Sequence, residues 1–240
     1  MTTARIDEIA TDIFRVSVAL PASDAFDGFT FNQYLIVDER PLLFHTGPRG
    51  LFALVKAAIE RVMPLRRLRY VALSHYENDE CGALDEFLAA APDALPVCSR
   101  VAAMTSIDDT AARPAKALAD GETLALGRHT VQWLDTPHVP HGWECGFLFD
   151  HTTATLFCGD LFSQPGAEHP PLTEGDILEP SEKLRLESGY FAATAATRRE
   201  LERLAALEPR LLACMHGAAW RGDGAALLRA LADRVVPRTV

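Results

Sequence analysis

The order of elements along the chain constrains its architecture more than any other feature: strands then helices, and then strands then helices again. "IFRVSVAL" has alternating, β-branched character, and "FNQYLIV" and "PLLFHTG" flank "DER" as the arms of a hairpin. Helical periodicity takes over in "GLFALVKAAIERVM", ended by Pro64. "RYVALS" reads as a buried strand, "CGALDEFLAAAP" as a helix stopped by Pro92, and "LPVCSRVAAM" as a short strand leading into a helix. The plan then repeats. "ETLALG" and "HTVQWLDTP" read as strands turning near Gly127 and Arg128, and "GFLFD" and "ATLFCGD" as a second hairpin. "SEKLRLESGYFAATAATRRELERLAAL" reads as mostly helical, "RLLACMHG" as a strand and "GAALLRALADRVV" as the last helix. Two such halves, about 1–115 and 116–240, predict two sheets packed face to face with helices outside. The expected class is α+β, a four-layer αββα sandwich made by one domain over residues 1–240.

Composition narrows the functions this frame can carry. Hydrophobic residues make up 48% of 240, enough for a sizeable core. The net charge of −10, from 33 acidic and 23 basic residues, argues against nucleic acid, whose phosphates need a basic footprint. It argues equally against an anionic membrane surface. Cys81, Cys98, Cys145, Cys158 and Cys214 are odd in number, widely spaced and without a C-x-x-C pair. That pattern points to free thiols in a reducing compartment. The N-terminal "MTTARIDEIATDIF" is charged and lacks the apolar run of a secretory signal. No stretch approaches the ~20 apolar residues that span a bilayer. A cytoplasmic protein is the expectation.

Four apolar strands run out into histidine or carboxylate, and loops held by a rigid scaffold are where chemistry collects. "SHYENDE" follows "YVAL" and carries His75, Glu77, Asp79 and Glu80. "TPHVPHGWE" follows "VQWLD" with His138 and His141; "CGD" ends in Asp160; "MHG" supplies His216. Imidazole and carboxylate together suit iron, manganese and zinc. Alternate residues of an extended loop point the same way, so His75 and Glu77 could share one ion while Asp79 turns towards a second. Asp160 is suited to bridging the two. His138 could ligate in place of His141 or support it from behind. His129, His151 and His169 fall in turns and are expected to face solvent. Cys81, Cys158 and Cys214 read as core. Trp143, Phe162 and Tyr190 could wall a pocket, and residues 165–180, rich in proline, glycine and acid, read as a loop or lid.

This succession, His75, Glu77, Asp79, Glu80, His141, Asp160 and His216, resembles the metallo-β-lactamase superfamily over roughly residues 8–220. The family's early hairpin, usually ending Asp-Thr-Gly, here reads His45-Thr46-Gly47, which casts His45 as a supporting residue. Glu77 in the place of a second histidine is similar to flavodiiron proteins and to the stand-alone oxygen-binding diiron proteins. The segment from His138 to His141 and the strand before Asp160 look like theirs as well. The resemblance implies two iron ions, with zinc or manganese as alternatives. His75, Glu77 and His141 would take one ion, Asp79 and His216 the other, and Asp160 would bridge. It implies binding, sensing or reduction of dioxygen or nitric oxide, a homodimer, and a separate electron-transfer protein in place of a flavodoxin domain. Glu80 departs from the family's histidine; it could ligate or point away. Two other readings remain open from the residues. One is a metal-dependent hydrolase of a small ester, thioester or phosphoester, with Asp79 or Glu80 as base. The other is a degenerate metal-binding interaction module.

Overall fold

The computed structural model describes residues 3–23 and 27–236. The first two residues of the charged N-terminal segment and the last four of the 1–240 span lie outside the described residues. Seven strands form a first sheet in chain order: β1 (Ala4–Ala10), β2 (Ile13–Leu20), β3 (Phe29–Ile36), β4 (Leu42–Phe44), β5 (Tyr70–Ala72), β6 (Leu95–Ser99) and β7 (Lys116–Leu118). β1 to β4 pair antiparallel, and β4 to β7 pair parallel. Parallel neighbours need crossovers, and helices supply them. α1 (Phe52–Ile59) joins β4 to β5, while α2 (Asn78–Cys81) and α3 (Leu84–Ala90) join β5 to β6. α4 (Arg100–Ala102) continues through a π-helical stretch, Ala103–Ile107, into α5 (Asp108–Thr110) before β7.

The second sheet has the order β12-β14-β13-β11-β10-β9-β8. Its strands are β8 (Thr123–Ala125), β9 (Thr130–Asp135), β10 (Gly146–Asp150), β11 (Thr155–Phe157), β12 (Leu172–Thr173), β13 (Leu211–Ala213) and β14 (Ala219–Arg221). α6 (Leu178–Ser188) and α7 (Thr197–Ala205) lie between β12 and β13, and α8 (Gly224–Val235) follows β14. The Asp223 carboxylate caps α8 by accepting from Ala226 N–H.

Side-chain alternation divides the core into three layers of contact. In β3 and β4, Leu35 and Leu43 face outward to Val55 and Ile59 of α1 and Phe87 and Leu88 of α3. Their neighbours Tyr34, Ile36, Leu42 and Phe44 face inward, onto Val131, Trp133, Leu148 and Phe157 of the second sheet. Phe147, Phe149, Leu156 and Leu212 face the other way, onto Leu201 and Leu204 of α7 and Leu228 and Leu231 of α8. The period of two in the strands thus makes the four-layer αββα sandwich. Among the described residues all five cysteines are buried and unpaired in disulfides.

Some elements differ from what sequence patterning predicts. β1 carries three charged positions, Arg5, Asp7 and Glu8, because it is an edge strand, half exposed along its length. β7 and β14 are too short for a period of two to register. Since β7 pairs with β6, the first sheet extends to Leu118. The 165–180 segment is not all loop, because β12 adds to β14 in parallel and α6 begins at Leu178. The long helix predicted after it is two helices. Gly189 closes α6 in the left-handed conformation, φ 68°, where a side chain is disfavoured.

His129 corrects the expectation of an exposed turn. It is buried at the opposite end of β9 from the His141 loop. Its backbone N–H donates to Asp38 Oδ2 (2.7 Å), and its Nδ1 lies 3.1 Å from Asp150 Oδ2. Thr153 donates to the same oxygen from both its hydroxyl and its N–H. The hydrogen bond to Asp150 raises the imidazole above its usual value. Burial opposes ionisation of Asp150, but His129 and Thr153 hold its carboxyl below the usual range. The raised histidine contributes stability that is full below its unfolded value and lost as pH rises through its folded value. The depressed carboxyl contributes stability present above its unfolded value and lost as pH falls through its folded one. The pair therefore stabilises most between about pH 4 and 6.5. Thermal melts of the parent should decline as pH rises past about 6.5, and Asp150→Asn should lose that decline; an unchanged profile would assign it elsewhere.

Candidate metal centre

β9 and β11 both run antiparallel to β10, and β11 runs parallel to β13, so these three strands end at one edge of their sheet. β5 of the other sheet reaches the same edge, where Gly146 N–H donates to Ser74 O (2.9 Å). His75, His141, Asp160 and His216 each follow one of these strand ends and converge there. Glu77 arrives at the end of the β5–α2 loop. Asp79 and Glu80 occupy the first turn of α2, where acids are favoured. Gly217 (φ 92°) turns the chain directly after His216, and a Cβ there would strike the Gln164 side chain.

The three histidines are oriented from behind. His141 Nδ1 donates to Tyr190 O (2.9 Å) and His216 Nδ1 to Thr30 O (2.7 Å). For His75 the orientation passes through a relay. Ser74 N–H donates to His45 Nε2, which is therefore an acceptor, so the Ser74 hydroxyl donates to it as well (2.9 Å). The Ser74 oxygen then accepts from His75 Nδ1 (2.9 Å). Burial pushes the His45 imidazole down to about 3, which keeps it a neutral acceptor. All three site histidines thus turn Nε2 inward, as partners on Nδ1 do for metal-binding imidazoles.

Around those atoms the carboxylates are divided. Asp160 Oδ2 lies 3.5 Å from His75 Nε2 and 3.3 Å from His141 Nε2, while its Oδ1 lies 3.3 Å from His216 Nε2. Glu77 approaches His141 Nε2 at 3.2 Å and Asp79 approaches His216 Nε2 at 3.4 Å. His75 and His141 bring their Nε2 atoms within 2.9 Å of each other. In the chain alone, protons supply the positive charge. Burial opposes it, yet the carboxylates of Asp160 and Asp79 raise His216 to about 9, and Glu77 and Asp160 raise His141. Asp160, despite its burial, is held well below the usual carboxylate range by His216, His75 and His141. Burial, with the charges of Asp160 and Asp79, pushes Glu80 far up. Both Glu80 oxygens and Asp160 Oδ1 are buried without a hydrogen-bond partner. Orphaned oxygens beside inward-facing imidazoles are what a cation site requires. Three groups have ligand atoms mutually within 4.8 Å: His75, His141 and Asp160; His75, Glu77 and Glu80; and Asp79, Glu80 and His216. The residues fit a pair of ions bound by nitrogen and oxygen.

A cavity of about 230 Å³ opens over the cluster, walled by Phe29, Leu184 and Tyr190. Phe29 stacks on the His216 ring at 4.1 Å between centroids, and Tyr190 OH donates to Asp160 O (3.2 Å). Of the aromatics expected in the pocket wall, Tyr190 is there. Phe162 is buried in the core beneath the α7 and α8 helices, and Trp143 is exposed. His138 is exposed and joins none of the three groups, leaving its loop represented by His141. Sequence reasoning missed Ser74, Thr30 and Phe29. Ser74 carried a signal, since it precedes His75 at a strand end; the other two come from β3 and carried none.

A four-layer αββα sandwich with histidines and carboxylates at one edge of its sheets defines the metallo-β-lactamase class. The model of the ODP family beta lactamase matches residues 29–217, and the chain belongs to that family. Its relatives are flavodiiron proteins. The crystal structure of the flavodiiron protein from Giardia intestinalis has the same fold: TM-score 0.83 at 21% identity, covering 96% of this chain and 59% of that one. The rubredoxin-oxygen oxidoreductase of Megalodesulfovibrio gigas is 27% identical over 206 residues, 81% of this chain and 50% of its own length. The nitric oxide reductase of Moorella thermoacetica is 24% identical over 224 residues, 88% of this chain and 55% of its own. The chain spans between about a quarter and about half the length of the curated relatives it matches. Among the described residues no helix is long and apolar enough to cross a membrane.

Proposed function

We propose that this chain is a dinuclear iron protein that binds and reduces dioxygen or nitric oxide, with electrons delivered by a separate redox protein. His75, Glu77 and His141 would hold one ion, Asp79 and His216 would hold the other, and Asp160 would be shared between them. The observation that carries this reading is the division of Asp160, whose two oxygens approach different histidine groups. The names of the relatives, one an oxygen oxidoreductase and one a nitric oxide reductase, support the substrate class. When bound, the ions would supply open coordination positions for a diatomic molecule and the redox equivalents for its reduction.

The chain's own groups prepare that chemistry. Tyr190 O, Thr30 O and the Ser74–His45 relay hold the three imidazoles with Nε2 directed inward. Phe29 and Leu184 give the cavity beside the cluster an apolar wall. The hydroxyls of Tyr190 and Ser163, both in the cavity wall, are held against Asp160 O. The same reading places the protein in the cytoplasm as a homodimer, each subunit one domain over residues 1–240.

Protein prepared anaerobically with ferrous iron should contain two irons per chain and consume dioxygen or nitric oxide with a chemically reduced dye as donor. His141→Ala should lower iron content to one or fewer, and His138→Ala should leave it unchanged. Less than one iron per chain in the parent, with zinc in its place and turnover of a small ester or thioester, would replace this reading with the hydrolase.

A further inference from the structure

Glu80 is the member of the cluster that the six-ligand arrangement leaves without a task. Its side chain is fully buried, and neither carboxylate oxygen receives a hydrogen bond. Its backbone is nevertheless fixed: Thr46 donates to Glu80 O from its N–H (2.8 Å) and from its hydroxyl (3.2 Å). Successive residues of a helical turn diverge by about 100°. Asp79 therefore turns to His216, and Glu80 turns inward. There its carboxylate meets both halves of the site. It groups with His75 and Glu77 on one side and with Asp79 and His216 on the other. Its Oε2 lies 3.8 Å from His75 Nε2. Asp160 is the other carboxylate that faces both sides.

We propose that Glu80 is a second bridging ligand, shared like Asp160 between the two ions, and that it sets the retention of the second ion and the preference of the centre for hard cations. The proposal rests on the dinuclear reading above. A carboxylate taken out of water with no donor is costly unless a cation meets it, and among the described residues no lysine or arginine lines the cavity. Glu77, Asp79, Glu80 and Asp160 supply four negative charges, which balance two divalent ions. A histidine at position 80 would leave the centre positive and replace an oxygen donor with a softer nitrogen. Oxygen donors favour manganese and iron over zinc more than imidazole does.

The test compares the full-length parent with Glu80→Gln and Glu80→His, each loaded anaerobically with iron(II), manganese(II) or zinc(II). Bound metal is counted after gel filtration and again during competition with a chelator. Metal-free forms are melted in parallel. The parent should hold two ions. Glu80→Gln, equal in shape but uncharged, should release one ion at least about tenfold more readily. Glu80→His should keep both ions but shift the manganese-to-zinc preference towards zinc. Metal-free Glu80→Gln should melt close to the parent, because the amide keeps the shape of the carboxyl it replaces. Fewer than two ions in the parent would defeat the dinuclear reading itself. Two ions in the parent with unchanged release and selectivity in both variants would make Glu80 a protonated bystander and overturn this proposal alone. Metal-free Glu80→Gln melting well below the parent would overturn it as well, by assigning the buried carboxyl to folding.

Discussion

Asp160→Ala should fold and yet retain no tightly bound metal, a larger loss than any other single substitution at the centre. The asymmetry of the cluster gives the reason. Glu77 faces the His75–His141 side and Asp79 faces the His216 side. Removing either should weaken one ion and spare the other. Asp160 faces both, with Oδ2 towards His75 and His141 and Oδ1 towards His216. Its loss removes a donor from each side and leaves His75 and His216 without their nearest anion. Supporting residues around metal ligands typically change affinity by 10–100-fold, so a residue shared by two ions should cost at least about a hundredfold at each. Equilibrium dialysis with elemental analysis measures this, with Glu77→Ala and Asp79→Ala alongside. Asp160→Ala holding one ion as tightly as those variants do would show that the carboxylate serves one side only.

Phe157→Ala should produce the largest loss of stability, about 3–5 kcal/mol in urea or guanidinium unfolding. Phe157 ends β11 in the layer between the two sheets. It lies 5.8 Å from the Tyr34 ring and 5.5 Å from the Phe44 ring, both on the first sheet. Truncation leaves a cavity between sheets that cannot close without moving one of them. The same residue stands three positions before Asp160, so the damage should reach the site. Metal release should quicken under conditions where the variant is still folded. Phe157→Leu, which keeps most of the volume, should recover well over half of the loss. A cost under about 1 kcal/mol for the alanine variant would mean that the two sheets are held together elsewhere.

How much of this was legible beforehand follows from how local each signal is. The apolar strands, their turns and the helix stop near Pro92 are patterns of a few neighbouring residues, and they survive without any tertiary context; α1 ends at Ile59, short of the stop expected at Pro64. So does the placing of histidine and carboxylate directly after those strands. The resemblance to the flavodiiron branch rested on Glu77 in such a loop, and family membership bears it out. β1, β7 and β14 were missed because an exposed edge strand and three-residue strands have little pattern of their own. His129 was misjudged because a turn with Asp38 and Asp150 folded over it is buried, and those partners are 91 and 21 residues away in sequence. Trp143 and Phe162 exchanged roles with Phe29 and Leu184 in walling the cavity because aromatic character says nothing about which side of a sheet edge a residue joins.

The sequence by itself determined the layering of this protein and the set of residues that gather at one edge. A period of two in each strand commits its faces, and a parallel or antiparallel order commits its ends. Only the tertiary structure decided what those residues do to one another. It oriented the imidazoles through Ser74, Thr30 and Tyr190, groups that lie from 1 to 186 residues away from the histidine each one holds. It divided Asp160 between two histidine groups, and it sealed Glu80 away from water between both. Coulomb and hydrogen-bond energies depend on distances of a few ångströms across the fold, and spacing along the chain carries no information about them.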